Sequence, residues 1–224
     1  MKWFQALDLF LLEGGISALR LSKVIRVAYK TAWSMLHKIR HAVGEFDARE
    51  LLSGDVKVNS DQYGRNPSRC QVSHPYASAV VAGCTVKDSG EPERVKIRLV
   101  PHKRGGEKRA NRHDLNTFIN GHVDVCTSEV QLFPQAFRLY APLRRVVREA
   151  WESLKSTYGA LGLKHLQAYL NEYTGRRRLR LQGGRPGAAE TMRQKLLRMC
   201  VAIPAIPYRR LIARQPNQPL AAAA

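Results

Sequence analysis

The chain has 224 residues, and its 37 Lys and Arg outnumber 18 Asp and Glu to give a formal net charge of +19. With 44% hydrophobic residues it has enough apolar material for a packed core, which excludes wholesale disorder. Its longest early apolar run, Leu9 to Leu12, falls far short of the roughly 20 residues that a bilayer-spanning helix needs.

A folded protein this basic is expected to meet polyanions, nucleic acid first, because each cation that neutralises a phosphate releases condensed counterions. No membrane partner is expected. Asp8 and Glu13 interrupt the N-terminal apolar pattern and no small-residue cleavage site follows, so no signal peptide is expected and the location should be cytoplasmic. Cys70, Cys84, Cys126 and Cys200 are too widely spaced for a zinc ribbon or a redox pair, and are expected as reduced, mostly buried thiols.

Trp3, Phe4, Leu7, Phe10 and Leu11 recur at helical spacing until Gly14-Gly15 stops them. A second helix begins at Ser17 as N-cap and runs to Ile25 with Leu21, Val24 and Ile25 inward, and residues 26–28 form a short link. The third helix spans about Tyr29 to Ala42. Its apolar face is Ala32, Met35, Leu36 and Ile39, leaving Lys30, Thr31, Ser34, Lys38 and Arg40 more exposed. Three helices with a tight turn before the last describe a helix-turn-helix unit, and between Gly15 and Val43 there is no acid at all. An ordinary three-helix bundle with a solvated basic face is the competing reading.

After Phe46 the period changes to that of strands: Val56 and Val58 alternate with polar residues, Ala77 to Cys84 is continuously apolar, and Val95, Ile97 and Leu99 alternate with charges. Gly64, Pro67, Ser89-Gly90 and Gly105-Gly106 mark the turns, and His122 to Cys126 reads as a further strand. Helical spacing returns with Leu143, Val146, Val147, Ala150 and Leu154, then with Leu163, Leu166, Tyr169, Leu170 and Tyr173. Strands followed by packed helices predict an α/β or α+β core. Beyond it, GRRRLRLQGGRPG brings Arg176, Arg177, Arg178, Arg180 and Arg185 together, either as a clamp on DNA phosphates or as a solvated linker. Met192, Leu196, Leu197 and Cys200 have helical spacing, and the ending from Gln215 is expected to fray.

The segments ISALRLSKVIRVAYKTAWSMLHKIRHAV, LLSGDVKVNSDQYGRN and LKSTYGALGLKHLQAYLNEYTGRRRLR together resemble the ISXO-like insertion-sequence transposases. The likeness is faint between about Cys70 and Tyr140 and returns at KLLRMCVAIPAIPYRRLI. In that family a zinc ribbon and a helix-turn-helix precede an RNase-H-like domain with an Asp-Asp-Glu active site. The ribbon would lie upstream of Met1. The resemblance implies an α/β fold in which a helix-turn-helix unit at 1–46 precedes a divergent RNase-H-like core at 47–181, a basic helical extension at 182–214 and a disordered tail at 215–224.

The family's chemistry needs carboxylates that hold two Mg²⁺ ions, one activating the attacking oxygen and one stabilising the leaving oxygen of a phosphodiester. The family pattern Gly-x-Val-Glu-Val-Asp-Glu-Thr-Tyr lies over Gly54-Asp55-Val56-Lys57-Val58-Asn59-Ser60-Asp61-Gln62, so the first catalytic Asp falls on Asn59. The second, ordinarily in a Thr-Asp-Gly context, falls on Cys126 within Val125-Cys126-Thr127. The closing Glu, three residues before a helical Trp, falls on Arg148 before Trp151. The nearby acids Asp61, Asp124 and Glu149 are candidate substitutes, although one step along a helix turns a side chain by about 100°. Surface pairing of Glu149 with Arg145 and of Glu152 with Arg148 is the plainer expectation.

The resemblance therefore implies a protein that binds double-stranded DNA for transposition, with Mg²⁺ binding weak or lost and cleavage impaired. Lys30, Thr31, Ser34, Lys38, Arg40, Arg176, Arg177 and Arg178 are its expected DNA contacts. Association into a homo-oligomer stays open. The alternatives are a non-enzymatic regulator or transposase remnant, and a basic RNA-binding protein.

Overall fold

The computed structural model describes residues 1–63, 78–100, 110–133, 139–159, 161–182 and 188–213. Gly64, Pro67, Cys70, Gly105-Gly106, Gly183-Gly184, Arg185 and the ending from Gln215 lie outside them. The elements run α1 (Lys2–Phe10), α2 (Ala18–Val24), α3 (Tyr29–Ala48), β1 (Leu52–Tyr63), β2 (Ser78–Val86), β3 (Pro92–Leu99), α4 (Arg112–His122), β4 (Val123–Phe133), α5 (Ala141–Tyr158), α6 (Leu163–Leu181), α7 (Ala188–Ala202) and α8 (Tyr208–Ala213). The architecture is mixed α/β. None of the described helices is long and apolar enough to cross a membrane.

The sheet is four-stranded in the order β3-β2-β1-β4, with β1, β2 and β3 antiparallel and β4 parallel beside β1. Alternation sorts its side chains between two cores. On one face Val80, Ala82, Cys84, Val95 and Ile97 meet Leu143, Val146, Val147, Ala150 and Leu154 of α5 and Leu166 and Leu170 of α6. On the other, Val56, Val58 and Val81 meet Leu115 and Phe118 of α4, an approach that Gly83 permits because a Cβ there would run into the Phe118 ring. The capping box of Asn111 and Asp114 starts α4.

A third core joins α1, α2 and α3 through Phe10, Leu21, Ala32, Leu36 and Ile39, and it also takes Leu179 from α6 and Leu196 and Met199 from α7. The N-terminal helices therefore share their interior with the C-terminal ones. Helix α6 belongs to two cores, and it crosses α3 where Gly44 and Gly175 leave room: a Cβ on Gly44 would collide with Asn171, and one on Gly175 with Val43. At its other end the Gln167 side chain lies along the edge strand β3, where Nε2 donates to the Ile97 carbonyl at 2.9 Å and Oε1 accepts from the Leu99 amide at 2.8 Å.

Several elements outrun their predicted limits. Helix α3 continues six residues past Ala42 to Ala48, and β4 reaches Phe133 rather than Cys126. The arginine run of 176–180 is not a linker, because it is the last part of α6. Val24, expected inward, is exposed, and Trp3 and Phe4 are about half exposed because α1 turns Ala6, Leu7 and Phe10 to the core. Cys84 is buried and Cys200 half-buried, but Cys126 is exposed; all three are free thiols.

Candidate nucleic-acid interface

The α2–α3 unit is built from local signals. The Ser17 hydroxyl accepts from the Arg20 amide and starts α2. The turn then passes through Arg26 at φ +52°, a left-handed conformation that a non-glycine residue adopts at a cost of about 1–2 kcal/mol. Lys2 steadies it by donating to the Arg26 carbonyl at 3.0 Å.

Helix α3 begins at N-cap Ala28, which offers no side-chain cap; the Thr31 amide of its first turn donates to the Ala28 carbonyl at 3.0 Å, and the positive end of the helix dipole faces outward there. Tyr29, Lys30 and Thr31 are exposed there, flanked by exposed Arg20, Lys23 and Arg26, while Ser34 is half-buried. From Met35 onward the helix sinks into the molecule: Met35, Leu36, His37, Ile39, Arg40, Ala42, Val43, Gly44 and Asp47 are all buried. Only its first two turns can enter a groove. Lys38 lies beyond them, beside Trp3 and Phe4 in an apolar groove between α1, α3 and α7.

Four of the expected DNA contacts are turned inward. Arg40 is 1% exposed, and its Nε donates to Glu172 Oε2 at 2.6 Å while its guanidinium lies over the Tyr169 ring at 4.1 Å. Burial alone would pull this guanidinium down, but Glu172, Tyr169 and Tyr158 hold it above its ordinary range. Arg176 is buried 3.7 Å from the other oxygen of Glu172 and donates to the Leu12 carbonyl. Arg177 donates to the Pro92 carbonyl. Arg178 pairs with Glu50 at 2.5 Å and overlies Phe46. These arginines are structural because α6 is threaded between α3, β3 and the loop after α1. Their side chains meet carbonyls and carboxylates there before they could reach a phosphate.

A second knot of charge lies where β3 meets the end of α3. Asp47 is surrounded by Arg94, Lys96 and Arg98, and Lys96 Nζ donates to the Asp47 carbonyl at 2.6 Å. Burial pulls the Lys96 ammonium down to about 8 against the attraction of Asp47. Arg98 Nε donates to His122 Nε2 at 3.2 Å, which requires a neutral imidazole. Burial first, then Arg98 and Lys96, pushes His122 down to about 3.

A base depressed in the folded state favours folding while it is neutral. This contribution is complete above the unfolded value near 6.5 and is lost as pH falls from there toward 3. Denaturant-derived stability should therefore fall by roughly 1.4 kcal/mol per pH unit from this one group across pH 6 to 4. His122→Gln should flatten the slope by that amount, and identical slopes would disprove the assignment.

The positions matched to the catalytic triad do not converge. Asn59, 1% exposed on β1, is gripped by the backbone at the start of α5: Nδ2 donates to the Tyr140 carbonyl at 3.1 Å and Oδ1 accepts from the Tyr140 amide at 3.0 Å. Its β4 neighbour in register is Phe133, not Cys126. Cys126 lies seven residues earlier, in the irregular part of β4 between Val123 and Ser128, and the five regular steps from Ser128 to Phe133 alone span roughly 17 Å.

The candidate substitutes have occupations of their own. Asp124 accepts from the Cys126 amide and the Thr127 hydroxyl, and Asp61 accepts from the Gln62 amide. Arg148 and Glu149 are exposed on α5; Glu149 accepts from the Tyr173 hydroxyl at 3.5 Å, and Arg145 faces Glu91 rather than Glu149. Among the described residues no three His, Cys, Asp or Glu side chains gather as a metal site would require. An amide whose two polar atoms are engaged by backbone does not fit a pair of Mg²⁺ ions, which demand anionic oxygen donors.

Composition gave no sign of the buried Glu172, nor of the Gln167 clasp. Both lie within the LKHLQAYLNE stretch, whose polar residues recur at i, i+4 (Gln167, Asn171) on the side turned to β3 and α3. Comparison with protein-family models, with curated proteins and with solved structures finds no match to this chain.

Proposed function

We propose that the chain is a double-stranded-DNA-binding protein of transposase descent, in which α2, its turn and the start of α3 form a helix-turn-helix reader beside a core whose catalytic pocket has been neutralised. The observation that carries the reading is the exposed start of α3. Tyr29, Lys30 and Thr31 stand there beside Arg20, Lys23 and Arg26, on a stretch of chain that holds no acid from Gly15 to Val43. Helix-turn-helix readers address base edges from the N-terminal residues of the second helix and the backbone from its surroundings. Three antiparallel strands followed by a parallel β4 beside β1 support an RNase-H-like ancestry. Asn59, neutral and clasped to Tyr140, supports the loss of two-metal cleavage.

Binding to labelled duplexes, followed by anisotropy against salt, tests the reader. Lys23→Ala and Lys30→Ala should each weaken binding to all sequences and lower the salt slope by about one counterion. Thr31→Ala should cost about 1–3 kcal/mol on a selected site and far less on random duplex. Arg40→Ala should leave the salt slope unchanged and lower the melting temperature instead. Equal binding by wild type and Lys23→Ala/Lys30→Ala would reject the interface. Mg²⁺-dependent nicking of a duplex bearing the element end would reject the neutralised pocket.

A further inference from the structure

The C-terminal helix comes to rest beside the proposed reader. After α7 the chain turns back along α3: Ile203, Pro204 and Ala205 line the apolar groove beside Lys38, Ile39 and Ala42, and Tyr208 then meets Trp33 edge-on with ring centroids 5.9 Å apart. From Ile39 to Trp33 is about 9 Å along the helix axis, so residues 203–208 run toward the start of α3. Trp33 follows Lys30 by three residues and Tyr29 by four, which puts it on their flank of the helix and one turn deeper. The short helix α8 is therefore moored beside the exposed end of α3, with Leu211 buried and Arg209 and Arg210 exposed. Among the described residues neither arginine makes an ion pair, and no acid follows Glu190 in the sequence.

From this placement, and resting on the duplex reading of α3, we infer that α8 is a second DNA contact: Arg209 and Arg210 hold the phosphate backbone along the groove that the start of α3 enters. Size decides which part of the duplex α8 meets. The major groove is about 12 Å wide, and one helix of roughly 10–12 Å diameter fills it. An element packed on the flank of that helix finds no room inside the groove and comes down on its wall, which is phosphate. Charge selects the occupant. Two adjacent guanidiniums without carboxylates suit phosphate oxygens, which each can grip with paired N–H groups. Contacts of this kind fix orientation and carry no sequence information, so α8 adds affinity on every duplex while Thr31 keeps the discrimination. Tyr208, held against Trp33, sets where the two cations reach.

Fluorescence anisotropy on a selected site and on random duplex, each across a salt series, tests the contact. Arg209→Ala/Arg210→Ala should lower the salt slope by about two counterions and weaken binding to both duplexes by the same factor, on the order of tenfold or more. Arg209→Lys/Arg210→Lys keeps the charge and should hold the wild-type slope. Arg112→Ala removes an exposed cation at the start of α4, which packs across the sheet from α5 and the first half of α6, and should change neither slope nor affinity. Both α8 arginines are exposed, and an unchanged melting temperature certifies each fold. If Lys23→Ala/Lys30→Ala weakens binding and Arg209→Ala/Arg210→Ala does not, α8 is no DNA contact and the reader stands. If Lys23→Ala/Lys30→Ala leaves binding unchanged, the reader falls and takes this proposal with it. A loss by the α8 variant on the selected site alone, an equal loss in Arg112→Ala, or a loss confined to RNA would each overturn it as well.

Discussion

Replacing Glu172 with Gln should cost about 3–5 kcal/mol, the penalty for leaving buried charge without its counter-ion. Glu172 is fully buried, and it is the acid that Arg40 meets at 2.6 Å and Arg176 at 3.7 Å, both inside the protein. The Tyr158 hydroxyl also donates to it at 2.7 Å. Gln keeps the volume and one acceptor but removes the negative charge, so two guanidiniums are left facing each other across a dry interior. Stacking over Tyr169 offsets part of this, on the order of 1–2 kcal/mol. In a chain of this size the melting temperature should drop by roughly 10 °C. The double variant Arg40→Met/Glu172→Leu should be less destabilised than the sum of its single changes, because it removes the charges together. A Glu172→Gln protein that melts with wild type would mean that the Arg40 charge is met elsewhere.

Asn59→Asp should be the second costly change, although it restores the residue that the family resemblance implies. The Asn59 amide donates to one Tyr140 backbone group and accepts from the other. An ionised carboxylate accepts from the Tyr140 amide but sets a negative oxygen against the Tyr140 carbonyl, in a site that excludes water. The expected loss at pH 7 is about 2–4 kcal/mol. A protonated carboxyl can donate, so the folded state raises the acid's pKa above the unfolded value near 4. The sign follows. The variant is closest to wild type below pH 4 and loses ground as pH rises toward and through the folded value. A stability difference that does not change with pH would show that Tyr140 tolerates the charge. Cleavage activity should not return, because Phe133 rather than an acid faces this position from β4.

These two residues mark the limit of what pattern could disclose. The α5 face of Leu143, Val146, Val147, Ala150 and Leu154 is buried as its spacing indicated, since a helix lying on a sheet obeys a single period. Arg40 was misread because residue type outweighed position. It lies on the i, i+4 line of Ala32, Leu36 and Gly44, whose members are all buried. Strand alternation set Val95 and Ile97 apart from their charged neighbours, but it gave no sign that α3 and α6 cover Lys96 and Arg98 on the other face. No one-dimensional pattern announces a second layer arriving from more than 40 residues away. The Asn59 clasp to Tyr140 and the separation of Asn59 from Cys126 are likewise matters of register between distant segments, which composition and spacing do not encode.

The grip of Gln167 on Ile97 and Leu99 has one more outcome. By occupying the Ile97 carbonyl and the Leu99 amide, it withdraws that end of the β3 edge from pairing with an incoming strand.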